Sequence, residues 1–226
     1  RIDMGLIQME MEGRPDGGRP HGFESLLDWY RDRVEKGELD SLDADDCAAL
    51  MREGIQYYHR YLASFHLERF DIVARDTSRN LGLFQFVVAH AKRQRDKVQF
   101  DQYRPYVTMM RTRALGMIAL AKDDHLTALE KIDEGIGRIR KFLEEYNQSD
   151  NEAECMELVA LLRWRRELER ERPVSPVERL EEQLRRAVAL EDYEEAARVR
   201  DQLRRLRGET PTEPSGPVVD PIISTD

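Results

Sequence analysis

Residues 177–207 read VERLEEQLRRAVALEDYEEAARVRDQLRRLR, and this stretch decides how the chain is to be read. Leu180, Leu184 and Ala187 recur four and three residues apart, the spacing of one helical face. Just upstream, Ser175 is a helix-capping residue, Pro176 suits the first helical position and Glu178 completes the capping-box spacing. Asp192 then offers a second start, with Glu195 at the matching third position. In the second segment Tyr193, Ala196, Ala197, Leu203 and Leu206 mark one face, and Arg200 falls between Ala197 and Leu203 on it. Two independently specified helix starts predict a short helical hairpin.

The hairpin resembles the UVR motif, which the excinuclease proteins UvrB and UvrC share. That family has a leucine, a methionine or leucine four residues on and an alanine three later, matched by Leu180, Leu184 and Ala187. Its Asp-Phe-Glu appears as Asp192-Tyr193-Glu194, its paired alanines as Ala196 and Ala197, and its Arg-Asp as Arg200-Asp201. Leu203 and Leu206 close the pattern; Leu184 replaces the usual methionine and Tyr193 the usual phenylalanine. The resemblance implies a non-enzymatic module that docks a partner's UVR motif or coiled-coil-like helix pair, or a second copy of itself. The whole sequence is also similar to bacterial proteins that carry this motif. Adaptors of the Clp protease system have similar hairpins, but their cysteine metal pairs have no counterpart here.

Two helices this short are marginal without packing against something else. Leu180, Leu184, Ala187, Tyr193, Ala196, Ala197, Leu203 and Leu206 are expected to bury against each other. Glu181→Arg185, Glu182→Arg186, Glu194→Arg198 and Asp201→Arg205 lie at i,i+4 spacing on the outer faces, each contributing about 0.2–0.5 kcal/mol. A guanidinium on the buried stripe must snorkel or find a carboxylate. Arg200 is therefore expected to pair within the hairpin, with Glu181 as one candidate, or across an interface between hairpins.

Working outward, the pattern from about His21 to residue 172 is helical, with a polar break at Asn147-Gln148-Ser149-Asp150-Asn151. Phe23, Leu26, Leu27, Tyr30 and Val34 form a stripe ending near Gly37, and Asp43 with Asp46 marks the next start. The run from Met109 to Phe142 resembles a degenerate tetratricopeptide repeat. Leu115-Gly116 stands at its Leu-Gly pair, Ala128 and Gly135 at its small positions and Ile132 at a bulky one. Thr112 and Ala119 replace its first-helix aromatics, and its closing proline is absent. Gln56–Ala91 is read as an earlier hairpin of the same kind, the alternative for both being a plain antiparallel bundle. A stacked helical body of this sort presents a groove that suits a peptide or helix.

The expected fold is mainly α: an antiparallel, tetratricopeptide-like body with a short N-terminal β strand and the C-terminal hairpin. The strand is read from Leu6, Ile7, Met9 and Met11 alternating with Gln8, Glu10 and Glu12, ahead of the Pro15-Asp16-Gly17-Gly18 turn. A lone strand needs a partner, either upstream residues or a second chain. The domains are then 1–20, strand and turn; 21–172, helical body; 173–208, hairpin; and 209–226, a Pro- and Ser-rich tail expected to be disordered.

Composition narrows the function. The chain has 226 residues, 36% charged, with a net charge of −9, a balance opposed to coating nucleic acid or anionic membrane. No apolar run reaches the roughly 20 residues of a membrane span, and cytoplasmic placement is the default. Cys47 and Cys155 stand alone, without Cys-x-x-Cys spacing. No P-loop or nucleophile elbow is present, and the five histidines are scattered. No enzyme, cofactor or metal is therefore expected. The best nucleic-acid candidate is Arg163-Trp164-Arg165-Arg166, an aromatic among basic residues. Yet Leu161–Arg207 holds 13 Arg against 11 acids, a net of only +2. The first expectation is a protein-interaction adaptor, with a link to nucleotide excision repair implied by the excinuclease resemblance. The alternatives are a nucleic-acid-binding repair accessory factor and a proteostasis adaptor.

Overall fold

A computed structural model of the chain describes residues 8–171 and 176–207, which form two compact units divided at Glu171. In the first unit α1 (Leu26–Glu35), α2 (Ala44–His66), α3 (Phe70–His90), α4 (Gln94–Asp101), α5 (Arg104–Leu120), α6 (His125–Glu145) and α7 (Met156–Glu171) follow in order. α2 packs on α3, α3 on α5, α5 on α6 and α6 on α7, with α4 braced against α3. The helix starts are set by short polar side chains. Ser25 accepts from the Asp28 N–H, Asp124 accepts from the Thr127 N–H, and Asp43 with Asp46 forms a reciprocal capping box.

The core follows the stacking. Leu27, Tyr30, Leu50, Leu83, Val87 and Phe100 bury together among α1–α4. Tyr61, Val73, Met110 and Ala114 join α2, α3 and α5, and Ile132, Ile139, Leu158 and Leu161 fill the space between α6 and α7. Gly135 lets α6 cross α5 closely, since a Cβ there would lie 2.7 Å from Thr112 Cγ2. Gly116 does the same for Trp164, whose ring would stand 2.5 Å from such a Cβ.

Between α2 and α3 the core is ionic. Arg60 and Asp76, 2% and 1% exposed, meet through two bonds of 2.7 and 2.9 Å. Glu53 is equally buried, pairs with Arg79, and accepts from the Leu26 and Leu27 N–H groups at 2.7 and 3.2 Å. It thus satisfies two free donors at the start of α1 and ties that helix to α2.

These arginines also correct the expected N-terminal strand. Gln8–Glu12 forms no strand, and among the described residues the β-type pairing is a single bridge between Leu42 and Ala91. The Glu10 carbonyl accepts from Arg60 at 2.7 Å, the Met11 carbonyl from Arg75 at 2.6 Å, and the Glu10 N–H donates to Pro15. Guanidiniums and a turn meet the backbone demand that a neighbouring strand would have met. Leu6 and Ile7, the start of that expected strand, lie outside the described residues.

One turn geometry recurs. After α1, α2, α5 and α6 a residue two or three past the helix has a positive φ: Gly37, Glu68, Asp123 and Asn147. At each, the following N–H reaches back five residues, as in Asp124 to Ala119 at 3.1 Å and Gln148 to Leu143 at 2.7 Å. This is a Schellman closure, which satisfies the last carbonyls of a helix and reverses the chain.

Candidate functional site

The second unit consists of α8 (Pro176–Ala189) and α9 (Tyr193–Arg207), packed on each other. Glu191 has φ +57 and the Asp192 N–H donates to the Ala187 carbonyl at 2.9 Å, the same closure used in the first unit. Asp192 then caps α9 by accepting from the Glu195 N–H at 3.1 Å. Ser175, the expected cap of α8, lies outside the described residues.

The seam is narrower than the sequence reading predicted. Ala187, Ala196, Val199 and Leu203 are buried, while Leu180, Leu184 and Ala197 are partly covered. Tyr193 is 70% and Leu206 56% exposed, so neither is a seam residue. Val188 and Leu190, at the end of α8, are exposed as well. The expected stripe through Ala197 and Arg200 is displaced by one residue. Ala196, Val199 and Leu203 repeat at three and four, and that spacing is the signal by which Val199 was findable. Arg200, one position on, is turned about 100° away. Its side chain is 54% exposed and lies 3.6 Å from Asp201, itself exposed. Arg200 is therefore no buried charge. On the outer face the expected Glu182–Arg186 pair is present at 3.1 Å, Glu182 also meets Arg185 at 2.7 Å, and Arg198 pairs with Glu195 rather than Glu194.

The family model of the UvrB/uvrC motif matches residues 175–209, the span that contains α8, its turn and α9. This hairpin is a UVR motif. No curated protein and no solved structure matches the chain. Within the UVR hairpin the exposed apolar side chains fall into two places, with Val188, Leu190 and Tyr193 about the turn and Leu206 near the far end of α9. Leu184, Ala197 and Leu180 are the partly covered margin of the seam.

The Arg163–Arg166 cluster lies on α7 and is engaged. Trp164 is partly buried against α5 at Gly116, so its ring is a packing group. Arg163 pairs with Glu167 at 2.8 Å, and Arg165 with Asp133 and Glu169 at 2.6 and 2.8 Å. Arg166 donates to the Leu162 carbonyl at 3.2 Å. These ion pairs lie on the surface, and the Arg163 side chain is 77% exposed.

Both cysteines are free, and burial pushes the Cys47 thiol up to about 11 and raises that of Cys155. Neither is an activated thiolate. Among the described residues no three His, Cys, Asp or Glu side chains are arranged to hold a metal ion, and no helix is long and apolar enough to cross a membrane.

Proposed function

We propose that this chain is a non-enzymatic interaction adaptor whose UVR hairpin docks a UVR motif or helix pair of a partner, or of a second copy. The observation that carries the reading is the division of the hairpin's apolar residues. Its seam closes on two alanines, a valine and a leucine, while Tyr193, Leu190, Val188 and Leu206 stay in water. So small a seam holds two short helices only marginally. Covering the exposed side chains on a partner adds roughly 25 cal/mol for each Å² of apolar surface removed from water.

The helical body serves in this reading as a tetratricopeptide-like scaffold. The close crossing at Gly135 and the chain-order stacking of α2, α3, α5, α6 and α7 favour it. The excinuclease resemblance favours a place in nucleotide excision repair. Free, unactivated thiols accord with cytoplasmic placement.

The test is a pull-down with the full chain, a chain lacking 177–207, and the Tyr193→Asp and Ala197→Glu variants, beside sedimentation velocity for self-association. Tyr193 is exposed, so Tyr193→Asp is expected to abolish partner capture or self-association with no loss of helical circular dichroism. Leu203→Asp, in the seam, is expected to unfold the hairpin as well. An unchanged set of partners in every variant would make the hairpin a structural end-cap and end this proposal.

A further inference from the structure

Three arginines of the first unit, Arg60, Arg79 and Arg104, hold the guanidinium near both an aromatic ring and a carboxylate. Arg79 lies 4.1 Å from the Tyr57 ring centre and pairs with Glu53. Arg60 lies 5.0 Å from the same ring and binds Asp76. Arg104 stands 4.7 Å from Phe142 and pairs with Asp101 and Glu145. Each contact combines ring attraction with ion pairing.

One cleft has the rings and the carboxylate without an arginine. A space of about 500 Å³ is bordered by Tyr58 on α2, by Tyr103 and Tyr106 at the start of α5, and by Glu157 in the first turn of α7. Met51, Ile55 and Phe84 supply apolar walls, His59 and Gln102 complete the polar rim, and no lysine or arginine lines the space. The Tyr58 and Tyr106 rings lie 6.4 Å apart at 53°. Among the described residues, no guanidinium stands over Tyr58, Tyr103 or Tyr106 and no cation pairs with Glu157, whose carboxylate accepts from the Cys155 thiol at 3.6 Å. Burial, then Tyr58 and Glu157, raises the Tyr106 phenol, which keeps it protonated and its ring neutral.

We propose that this cleft binds an arginine side chain of a partner polypeptide, its guanidinium against the tyrosine faces and countered by Glu157. A polypeptide fits better than a small free cation because the cleft is open and its margins carry Ile55 and Tyr103, 45% and 49% exposed. Residues flanking the arginine can cover both. The net charge of −9 favours a basic partner. This site belongs to the first unit and does not depend on the UVR hairpin reading, so either can fail alone.

The experiment titrates the full chain, carrying ¹³C-labelled tyrosine rings, with N-acetyl-leucyl-arginyl-leucinamide. The same peptide with citrulline, arginine's neutral isostere, and tetramethylammonium chloride are the comparison arms. The arginine peptide is expected to shift the Tyr58, Tyr103 and Tyr106 ring signals and to bind about tenfold tighter than either comparison. Glu157→Gln and Tyr103→Ala change part-exposed or exposed residues and should each weaken it about tenfold, with circular dichroism unchanged. Equal binding of the arginine and citrulline peptides, or no shift of these rings, would overturn the proposal. Tetramethylammonium binding as tightly as the peptide would overturn its assignment to a polypeptide.

Discussion

Gly135 and Gly137 lie two residues apart on α6 and face opposite demands. A Cβ at Gly135 would run into Thr112, whereas one at Gly137 meets open space. Alanine gains about 1 kcal/mol of helix propensity over glycine at either position, but a side chain forced into a packed crossing costs about 1–3 kcal/mol. Gly137→Ala is therefore expected to raise the urea midpoint, and Gly135→Ala to lower it. Adding Thr112→Ala to Gly135→Ala should recover part of that loss, because the Thr112 Oγ1 and Cγ2 atoms leave the contact. Gly135 was legible as a small-residue position in the repeat pattern. Its partner was not, since Thr112 stands where the repeat has an aromatic and only the crossing of α5 over α6 pairs the two. Arg200 shows the same limit from the other side. A one-residue offset, invisible in a stripe that also contains Ala197, decides between a buried and an exposed guanidinium.

At the scale of elements, caps and turns explain where helices begin and end. Asp43 and Asp192 were legible as helix starts because a short carboxylate accepts from free first-turn N–H groups, and Asp124 caps α6 in the same way. The turns after α2, α5 and α8 were not legible, because Glu68, Asp123 and Glu191 hold the positive φ that glycine, as at Gly37, usually takes. The Asp123-Asp124 turn between α5 and α6 and the Glu191-Asp192 turn between α8 and α9 share one construction: a left-handed residue, then a capping aspartate. α4 also escaped the sequence reading, being short and carrying little apolar periodicity. The caps make an acid prediction. Bonds from the Asp46 and Thr127 N–H groups hold the Asp43 and Asp124 carboxyls below their usual 3.8. Carboxyls lowered on folding add stability above the unfolded value, and that stability is lost as pH falls through the folded value. The melting temperature is therefore expected to drop once acidification passes below about pH 4. Because asparagine caps without titrating, the paired Asp43→Asn and Asp124→Asn variant should show a shallower drop in melts recorded across a pH series.

For the molecule as a whole, the division at Glu171 predicts that the first unit folds without the second. A chain ended at Glu171 should melt cooperatively, with its core of Leu50, Val87, Ile132 and Leu161 intact, as checked by thermal circular dichroism and calorimetry. Loss of the cooperative transition would mean that the UVR hairpin completes the body's core. The sequence by itself determined the helical class, the helix starts at Asp43 and Asp192 and the UVR motif, because each rests on local spacing and capping within a few residues of chain. Tertiary structure decided what those helices do with their polar residues. It put Arg60 and Asp76 together, gave the N-terminal segment guanidinium partners in place of a strand, and turned Trp164 into a packing group. It also left Tyr193 and Leu206 in water. Those outcomes depend on which faces meet across many residues of separation, and periodicity along one chain carries no record of that.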